Sequence, residues 1–339
     1  MTLLGMLHHR KSPHQVNKAY AYAAVAKMEG IDFVYFSYRS VDFRRKKITG
    51  WVYQNGSWVK REARFPDCII NISAPRTEMQ SEVREKLIEH IPFVSHSIGS
   101  KMYVFEKIKQ GKEFSRHLIP TLKISSAEEI YSLLSQWKKA VIKPSSGSKG
   151  RNIYFITLLN NKQVQCQYGT EKESLSQEEF NALIESLVTE QIYIIQPYIE
   201  CKTKAGLAYD FRLHVQKNGE GKWVINLIYP RISGNSRLTS NISAGGYWGD
   251  FIPFLKEQFG DDYFEMKQLL EYFAVSFASH FESLYEGMLF DELGIDVGVD
   301  QHKQLWLFEV NWRPGTTERD FSVAQNAIPY ARYLAHQHH

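Results

Sequence analysis

Apolar and polar residues alternate strictly over Ile295–Asp300 and Leu305–Asn311, and the four residues Gln301–Gln304 between them can turn the chain. This pattern predicts a β-hairpin. If the turn is symmetric, Asp296 lies across from Glu309, and Asn311 follows on the same face. The other face is Ile295, Val297, Val299, Trp306, Phe308 and Val310, wholly apolar and suited to a core. Residues 1–96 read as a small α/β unit. Leu3–Leu7 is a short apolar strand, Asn17–Glu29 an Ala-rich helix with Gly30 past its end, and Asp32–Tyr38 a second strand. Ile48–Tyr53 and Ser57–Lys60 flank Gln54-Asn55-Gly56, a strong hairpin turn signal. Asp67–Ile72 is a compact buried strand, and Glu78–His90 an amphipathic helix ended by Pro92. Strands alternating with helices predict a partly parallel sheet.

Pro92–Ser100 is short, polar and interrupted by Gly, which marks a boundary. Beyond it, Lys101–Lys112 and Ser125–Lys139 read as helices, the second with a serine N-cap and acids in its first turn. Ala140–Pro144 and Asn152–Ile156 read as strands joined by a loop of small residues. Lys172–Val188 reads as mostly helix and Gln191–Ile199 as a buried strand. Phe211–Gln216 and Trp223–Tyr229 form a hairpin around Asn218-Gly219-Glu220-Gly221. Asp262–Tyr285 is a long helix, and a last helix runs from about Phe321.

A chain of 339 residues with 43% hydrophobic and 23% charged residues can bury a sizeable core and hold one to three domains. The net charge of +4 is too mild to argue for nucleic acid. Cys68, Cys166 and Cys201 are far apart and show no metal spacing, as expected of a reducing compartment. The first residues lack the apolar core of a signal peptide, and no run reaches the ~20 apolar residues of a membrane span. These features predict a cytoplasmic protein. The terminal HQHH is short and irregular and is assigned no role in the site.

Several stretches carry chemistry. Two carboxylates facing each other on neighbouring strands repel, and a cation between them reverses the sign of that interaction. Carboxylate and amide oxygens are hard donors, and Mg²⁺ takes few protein ligands beside substrate phosphates. Asp296, Glu309 and Asn311 therefore propose a Mg²⁺–nucleotide site. Lys143 ends an apolar strand next to Ser145-Ser146-Gly147-Ser148-Lys149-Gly150, where a cation and backbone N–H groups can meet phosphate. The order is not that of a Walker A loop. Gln196-Pro197-Tyr198-Ile199 offers a strand end to a purine. Asp210 and Arg212 share one face of an extended segment, followed by Arg231 and by Asn241 before Gly245-Gly246. Arginine suits phosphate and carboxylate through its forked geometry. Arg313 adds a cation beside the acids. His8, His9 and His14 are taken as surface histidines, and Arg44-Arg45-Lys46-Lys47 as a solvated basic loop.

In this order the motifs resemble those of ATP-grasp enzymes over roughly Lys101 to Pro329. More narrowly, Asn71–Arg76, SSGSKG and FEVNWRPG resemble the YheC/YheD-like group of endospore-forming bacteria. The resemblance implies an α/β (α+β) chain with an N-terminal pre-ATP-grasp domain over residues 1–97. The ATP-grasp domain follows over 98–339, with a central or lid subdomain at about 123–200 and a C-terminal subdomain at about 201–339. It implies that Lys101 and Lys143 reach the nucleotide, with Ser146, Gly147 and Ser148 over the phosphates. Gln196, Tyr198 and Ile199 would form the adenine hinge. Asp210 and Arg212 would form the D-x-R motif, with Arg212 aimed at the reaction centre. Arg231 and Asn241 would line the phosphoryl site, and Asp296, Glu309 and Asn311 would hold Mg²⁺, with Mn²⁺ as an alternative. The sequence departs from the family at Gln196, where many members have Glu. It departs again in the Asp296–Glu309 spacing, which keeps Asp300 as a reserve ligand. The activity implied is an ATP-dependent carboxylate–amine (or thiol) ligase acting through an acylphosphate, with small-molecule or peptide substrates. Arg212, Arg231 and Arg313 would act on the reacting groups. The alternative is a spore coat-associated structural or interaction protein that binds nucleotide without turnover. Coat proteins and a second copy of the chain are partners to consider; nucleic acid and membrane are not expected.

Overall fold

The structure is a computed structural model and describes residues 1–145, 152–160, 163–234, 246–315 and 319–338. Three sheets organise the described residues. The first holds β1 (Leu3–His8), β2 (Asp32–Ser37), β3 (Val41–Asp42), β4 (Lys47–Gln54), β5 (Ser57–Arg64) and β6 (Cys68–Asn71). Its order is β3-β4-β2-β1-β6, with β5 beside β4. β1 is parallel to both β2 and β6. Parallel neighbours need a crossover, which α1 (Asn17–Met28) supplies between β1 and β2; α2 (Glu78–Ile88) follows β6. Asn55 and Gly56 take φ of 48° and 80°, the two positive values a tight β4–β5 turn requires.

After α3 (Lys101–Gly111), the second sheet gathers β7 (Leu122–Lys123), β8 (Lys139–Pro144), β9 (Tyr154–Leu158), β10 (Val164–Tyr168), β11 (Glu171–Leu175) and β12 (Tyr193–Pro197). They run in the order β11-β10-β9-β8-β12-β7. α4 (Ala127–Trp137) and α5 (Gln177–Glu190) cover it through Ile130, Leu134, Phe180 and Ile184. Residues 172–175, expected to open a helix, belong to the edge strand β11, and α5 starts only after Ser176. The Ser176 hydroxyl accepts the Glu179 N–H and the Glu179 carboxylate accepts the Ser176 N–H, so the capping box fixes the helix start.

The third sheet runs β15-β14-β13-β16-β17 and is antiparallel throughout. Its strands are β13 (Tyr209–Lys217), β14 (Trp223–Ile232), β15 (Tyr247–Trp248), β16 (Glu292–Val299) and β17 (Leu305–Trp312). α6 (Phe251–Phe259) and α7 (Tyr263–Ser283) bury one face, where Phe211, Leu213, Val215, Ile295 and Val297 meet Leu270, Phe273 and Phe277. The last helix, α8 (Asp320–Gln337), returns to the first sheet and packs Val323, Ile328 and Leu334 among Leu4, Tyr22 and Ile70. The N-terminal core is thus completed from the far end of the chain, across the boundary placed near residue 97.

The predicted hairpin forms, and Asp296 does lie across from Glu309. The turn is not symmetric, however. Val297 pairs with Leu307 and Val299 with Leu305, so Phe308 is an extra residue that bulges out of β17. The bulge sends Leu305 and Leu307 into the core and leaves Trp306 and Phe308 half-buried, the reverse of the alternation expected there. Asp300 is consumed by the turn: it accepts Trp306 Nε1 at 2.8 Å and the N–H groups of His302 and Gln304. Gly298 sits under the bulge, where a Cβ would strike the Phe308 ring and lie 2.6 Å from Cys201 Sγ. Gly298→Ala should therefore cost roughly 1–3 kcal/mol. A lowered urea midpoint would show it, and an unchanged midpoint would contradict the packing described.

Candidate functional site

The antiparallel register of the third sheet lines up its polar side chains in rows. Arg212 pairs with Asp296 across β13 and β16, and Asp296 with Glu309 across β16 and β17, so the three cross three adjacent strands at one level. One step along, Asp210 pairs with Arg231 across β13 and β14. Alternation places Asp210, Arg212, His214 and Gln216 on this face and Phe211, Leu213 and Val215 in the core.

Asp296, only 3% exposed, accepts from both arginines. Arg212 binds it through Nε to Oδ1 and through Nη2 to Oδ2 at 3.1 Å. Arg231 Nη2 lies 3.0 Å from Oδ2 and also grips Asp210 with two bonds of 2.7 and 2.6 Å. Asn311 Nδ2 donates to Asp296 Oδ2 at 3.2 Å. Two carboxylates and two guanidiniums form a neutral quartet. Burial alone would raise the Asp296 pKa, but the charges of Arg212 and Arg231 prevail and hold it below the ordinary value. A Cβ at Gly294 would lie 2.6 Å from Pro314 Cβ and 3.2 Å from Arg212 Nη1, so glycine is what fits beside the row.

At the outer end of the row, Glu309 pairs with Lys101 at 3.0 Å in a half-exposed salt bridge. Lys101 is the first residue of α3, which Ser100 caps by accepting the Tyr103 N–H. Across the cleft, the second sheet presents its non-core face. Lys143 pairs with Ile194 and Val141 with Gln196, so these four side chains share one face while Ala140, Ile142 and Ile195 are in the core. Tyr198 continues the face, its ring edge-on to Phe155 at 5.8 Å. Gln196 Nε2 donates to Thr121 Oγ1 at 2.7 Å, which fixes its amide. The Tyr198 N–H is already given to the Lys139 carbonyl, and the Ile199 carbonyl to the Cys201 N–H. The backbone groups of these two residues that a purine edge could meet are therefore the Tyr198 carbonyl and the Ile199 N–H.

Lys143 makes no ion pair among the described residues. Burial of its ammonium, helped by nearby Lys101 and opposed by Glu309, brings its pKa down to about 8. The site therefore holds a neutral quartet, one balanced pair and one unmatched, desolvated cation.

The structure brings Lys101, Lys143, Arg212, Arg231, Asp210, Asp296, Glu309 and Asn311 together, with Gln196, Tyr198 and Ile199 along the second sheet. Ser146, Gly147, Ser148 and Asn241 lie outside the described residues. Arg313 is placed elsewhere. Its guanidinium is bound to Asp291 at 2.7 Å, lies 3.4 Å from Asn71 Oδ1 and stacks on Trp312, at the junction with the first sheet. Reading the sequence missed this second polar cluster, which also contains His214 and Glu292, 3.0 Å apart and both buried. The available signal was periodicity: Asp210, Arg212, His214 and Gln216 recur every second residue, and Glu292 shares parity with Asp296.

A model for the family described as YheC/D like ATP-grasp matches residues 90–334. The endospore coat-associated proteins YheD and YheC of Bacillus subtilis (strain 168) are similar over 323 residues. YheD is 24% identical, covering 88% of this chain and 70% of its own; YheC is 25% identical, covering 89% and 86%. Among solved structures, the fold is similar to that of a RiPP-associated ATP-grasp ligase of Chryseobacterium gregarium in complex with ADP and a leader and core peptide. The TM-score is 0.56 at 11% identity, over 99% of this chain and 97% of that one. It is also similar to the ADP complex of purK, an N5-carboxyaminoimidazole ribonucleotide synthetase, with a TM-score of 0.57 at 9% identity over 98% and 77%. At such identities the likeness is one of fold.

Two predictions follow from the charge pattern. Asp296→Asn leaves two buried guanidiniums short of a partner and should cost about 3–5 kcal/mol, whereas Glu309→Gln breaks a half-exposed pair worth roughly 0–1 kcal/mol. Equal losses in chemical denaturation would refute the difference in burial. Lys143 gives up its proton near pH 8 when folded but near the ordinary 10.5 when unfolded. Between those values the unfolded chain holds the extra proton, so this group makes stability rise with pH, and Lys143→Met should remove that rise. An identical pH–stability profile in the variant would show that the lysine is not desolvated.

Proposed function

The chain belongs to the YheC/D-like ATP-grasp family, and from that footing we propose that it is an ATP-dependent ligase joining a carboxylate to an amine (or thiol). The observation that supports this best is the unmatched Lys143 cation opposite the Arg231–Arg212–Asp296–Glu309 array. Lys143 and Lys101 take the nucleotide phosphates, and the apolar face around Val141, Phe155, Ile194 and Tyr198 takes the base, with Gln196 at its edge. The γ-phosphoryl group then points at Arg212 and Arg231.

A substrate carboxylate oxygen attacks the γ-phosphorus in line, the bond to ADP breaks, and an acylphosphate forms. The amine nitrogen next attacks the acyl carbon, phosphate leaves, and the nitrogen loses its proton. No side-chain nucleophile is needed. The protein positions the reactants and neutralises developing charge, and Arg212 and Arg231 are aimed for that. Arg231 is also held by two bonds to Asp210, so it stays oriented when Asp296 gives up its share.

Among the described residues no three His, Cys, Asp or Glu side chains gather for a metal. Asp296, Glu309 and Asn311 nevertheless supply hard oxygens that fit Mg²⁺ or Mn²⁺ once phosphate draws an arginine off Asp296 and the Asn311 amide presents its oxygen. When bound, such an ion screens the charge of the transferring phosphoryl group. The saturation of Asp296 also favours a second reading: a coat-associated protein that holds nucleotide without turnover. Peptide substrates are the natural first trial, because a neighbour of the same fold is described with leader and core peptides. Association with the endospore coat is proposed from the names of the relatives; no helix among the described residues is long and apolar enough to cross a membrane.

ADP release on screening amino acids and peptides with ATP and Mg²⁺ decides between the two readings. Turnover that Arg212→Met lowers by about 10²-fold or more supports the ligase. Nucleotide binding with no ADP from any pair supports the second reading. Nucleotide binding near pH 8.5 should also take up protons, because phosphate raises the Lys143 pKa. Calorimetry in buffers of different ionisation enthalpy measures this, and zero uptake would remove Lys143 from the phosphate site.

A further inference from the structure

The mild net charge of the whole chain conceals a strong local one. Residues 39–64 carry eight Lys and Arg against two Asp and Glu, so without this segment the chain would be slightly acidic. The segment is β3, β4 and β5 with their turns, a ribbon on the far side of the first sheet from β6. Part of its charge is balanced internally: Glu62 serves both Arg45 and Lys47, and Arg64 pairs with Asp67. Lys11, Arg39, Arg44, Lys46, Lys60 and Arg61 make no ion pair among the described residues.

A cavity of about 430 Å³ opens on the same face. Lys11, Arg39 and Lys60 line it together with Trp51, Ser37 and one carboxylate, Asp42. Trp51 is held by its Nε1–H to the Lys11 carbonyl at 3.1 Å, and the Lys60 ammonium stands 5.6 Å from the centre of its ring. Ser40 Oγ donates to the Ser37 carbonyl, and Asp42 accepts the Arg45 N–H, so these groups are already engaged locally. Three exposed cations around a fixed aromatic wall remain to meet a ligand.

We propose that this face docks an acidic peptide segment, with one of its carboxylate side chains seated between Lys11, Arg39 and Lys60. The volume suits a side chain and its adjoining backbone and falls in the range of small-ligand sites. A carboxylate takes forked bonds from Arg39 and point-charge attraction from the two lysines. The ribbon tip, Gln54-Asn55-Gly56, is polar and offers nothing to insert into a bilayer. Glu62 sits amid the cations of the ribbon, which breaks the continuous positive track that a nucleic-acid backbone follows. The docking is independent of nucleotide and of the proposed ligase reaction.

Fluorescence anisotropy with a labelled Glu-rich peptide, at low and at physiological salt, tests this on the full chain. Binding should perturb Trp51 emission, weaken with salt, and fall at least about tenfold in Arg39→Glu/Lys60→Glu. These side chains are exposed, and an unchanged melting temperature controls for folding. Lys123→Glu/Lys172→Glu makes the same change of charge on the exposed edges of the second sheet and should leave binding intact. Absence of binding, or equal loss in both double variants, would overturn the proposal. So would tighter binding to duplex DNA or to phosphatidylserine vesicles than to the peptide.

Discussion

Two buried guanidinium groups share one carboxylate at the centre of the C-terminal sheet, and the surrounding residues are arranged to make that stable. Taking such ions out of water costs several kcal/mol each, which is recovered only with near-complete hydrogen bonding. Asp296 meets this demand with four donated bonds, and Arg231 by spanning Asp210 as well. The backbone follows from the same demand. Adjacent antiparallel strands are the geometry that places Arg212, Asp296 and Glu309 directly abreast. Glycines at 294 and 298 flank Asp296 on its own face and leave room for Arg212 and for the bulged Phe308. The opposite face is filled by the phenylalanines of α7, so the polar row rests on a rigid apolar floor.

The second sheet brings the charge this row lacks. Its core face is fixed by α4 and α5, and strict alternation then turns Lys143 toward the cleft. A desolvated ammonium with no carboxylate of its own is poorly satisfied by the protein alone, and the proposed phosphate site rests on that. The first sheet is joined to this assembly by α8 and by the Arg313–Asp291 pair, which ties the end of β17 to Asn71. The cleft between the second and third sheets is thus linked to the first sheet two residues beyond Asn311.

Local periodicity made much of this legible. The Asp296–Glu309 opposition followed from period-two alternation on both strands, and the Lys143 strand from its apolar run. What escaped was set by longer-range or finer effects. The Phe308 bulge adds one residue without disturbing composition, so Trp306 and Phe308 were assigned to the core in place of Leu305 and Leu307. β11 is an exposed edge strand of charged residues, whose sequence resembles the helix it precedes. Arg313 stands beside the acids in sequence, yet it is drawn to Asp291, a partner that only the assembled junction provides. The return of α8 to the first core was invisible for the same reason. The exposed turn at Arg44–Lys47 was legible, but not the basic cavity beside it, because only the fold sets Lys11 and Arg39 around Trp51.

The central claim is that Asp296 is saturated by protein cations until phosphate competes for them. Electron paramagnetic resonance of Mn²⁺, titrated into the protein with and without ADP, tests it most directly. The account predicts weak Mn²⁺ binding to the protein alone and tight binding once ADP is present, with Glu309→Gln abolishing the tight form. Tight Mn²⁺ binding in the absence of nucleotide would contradict it.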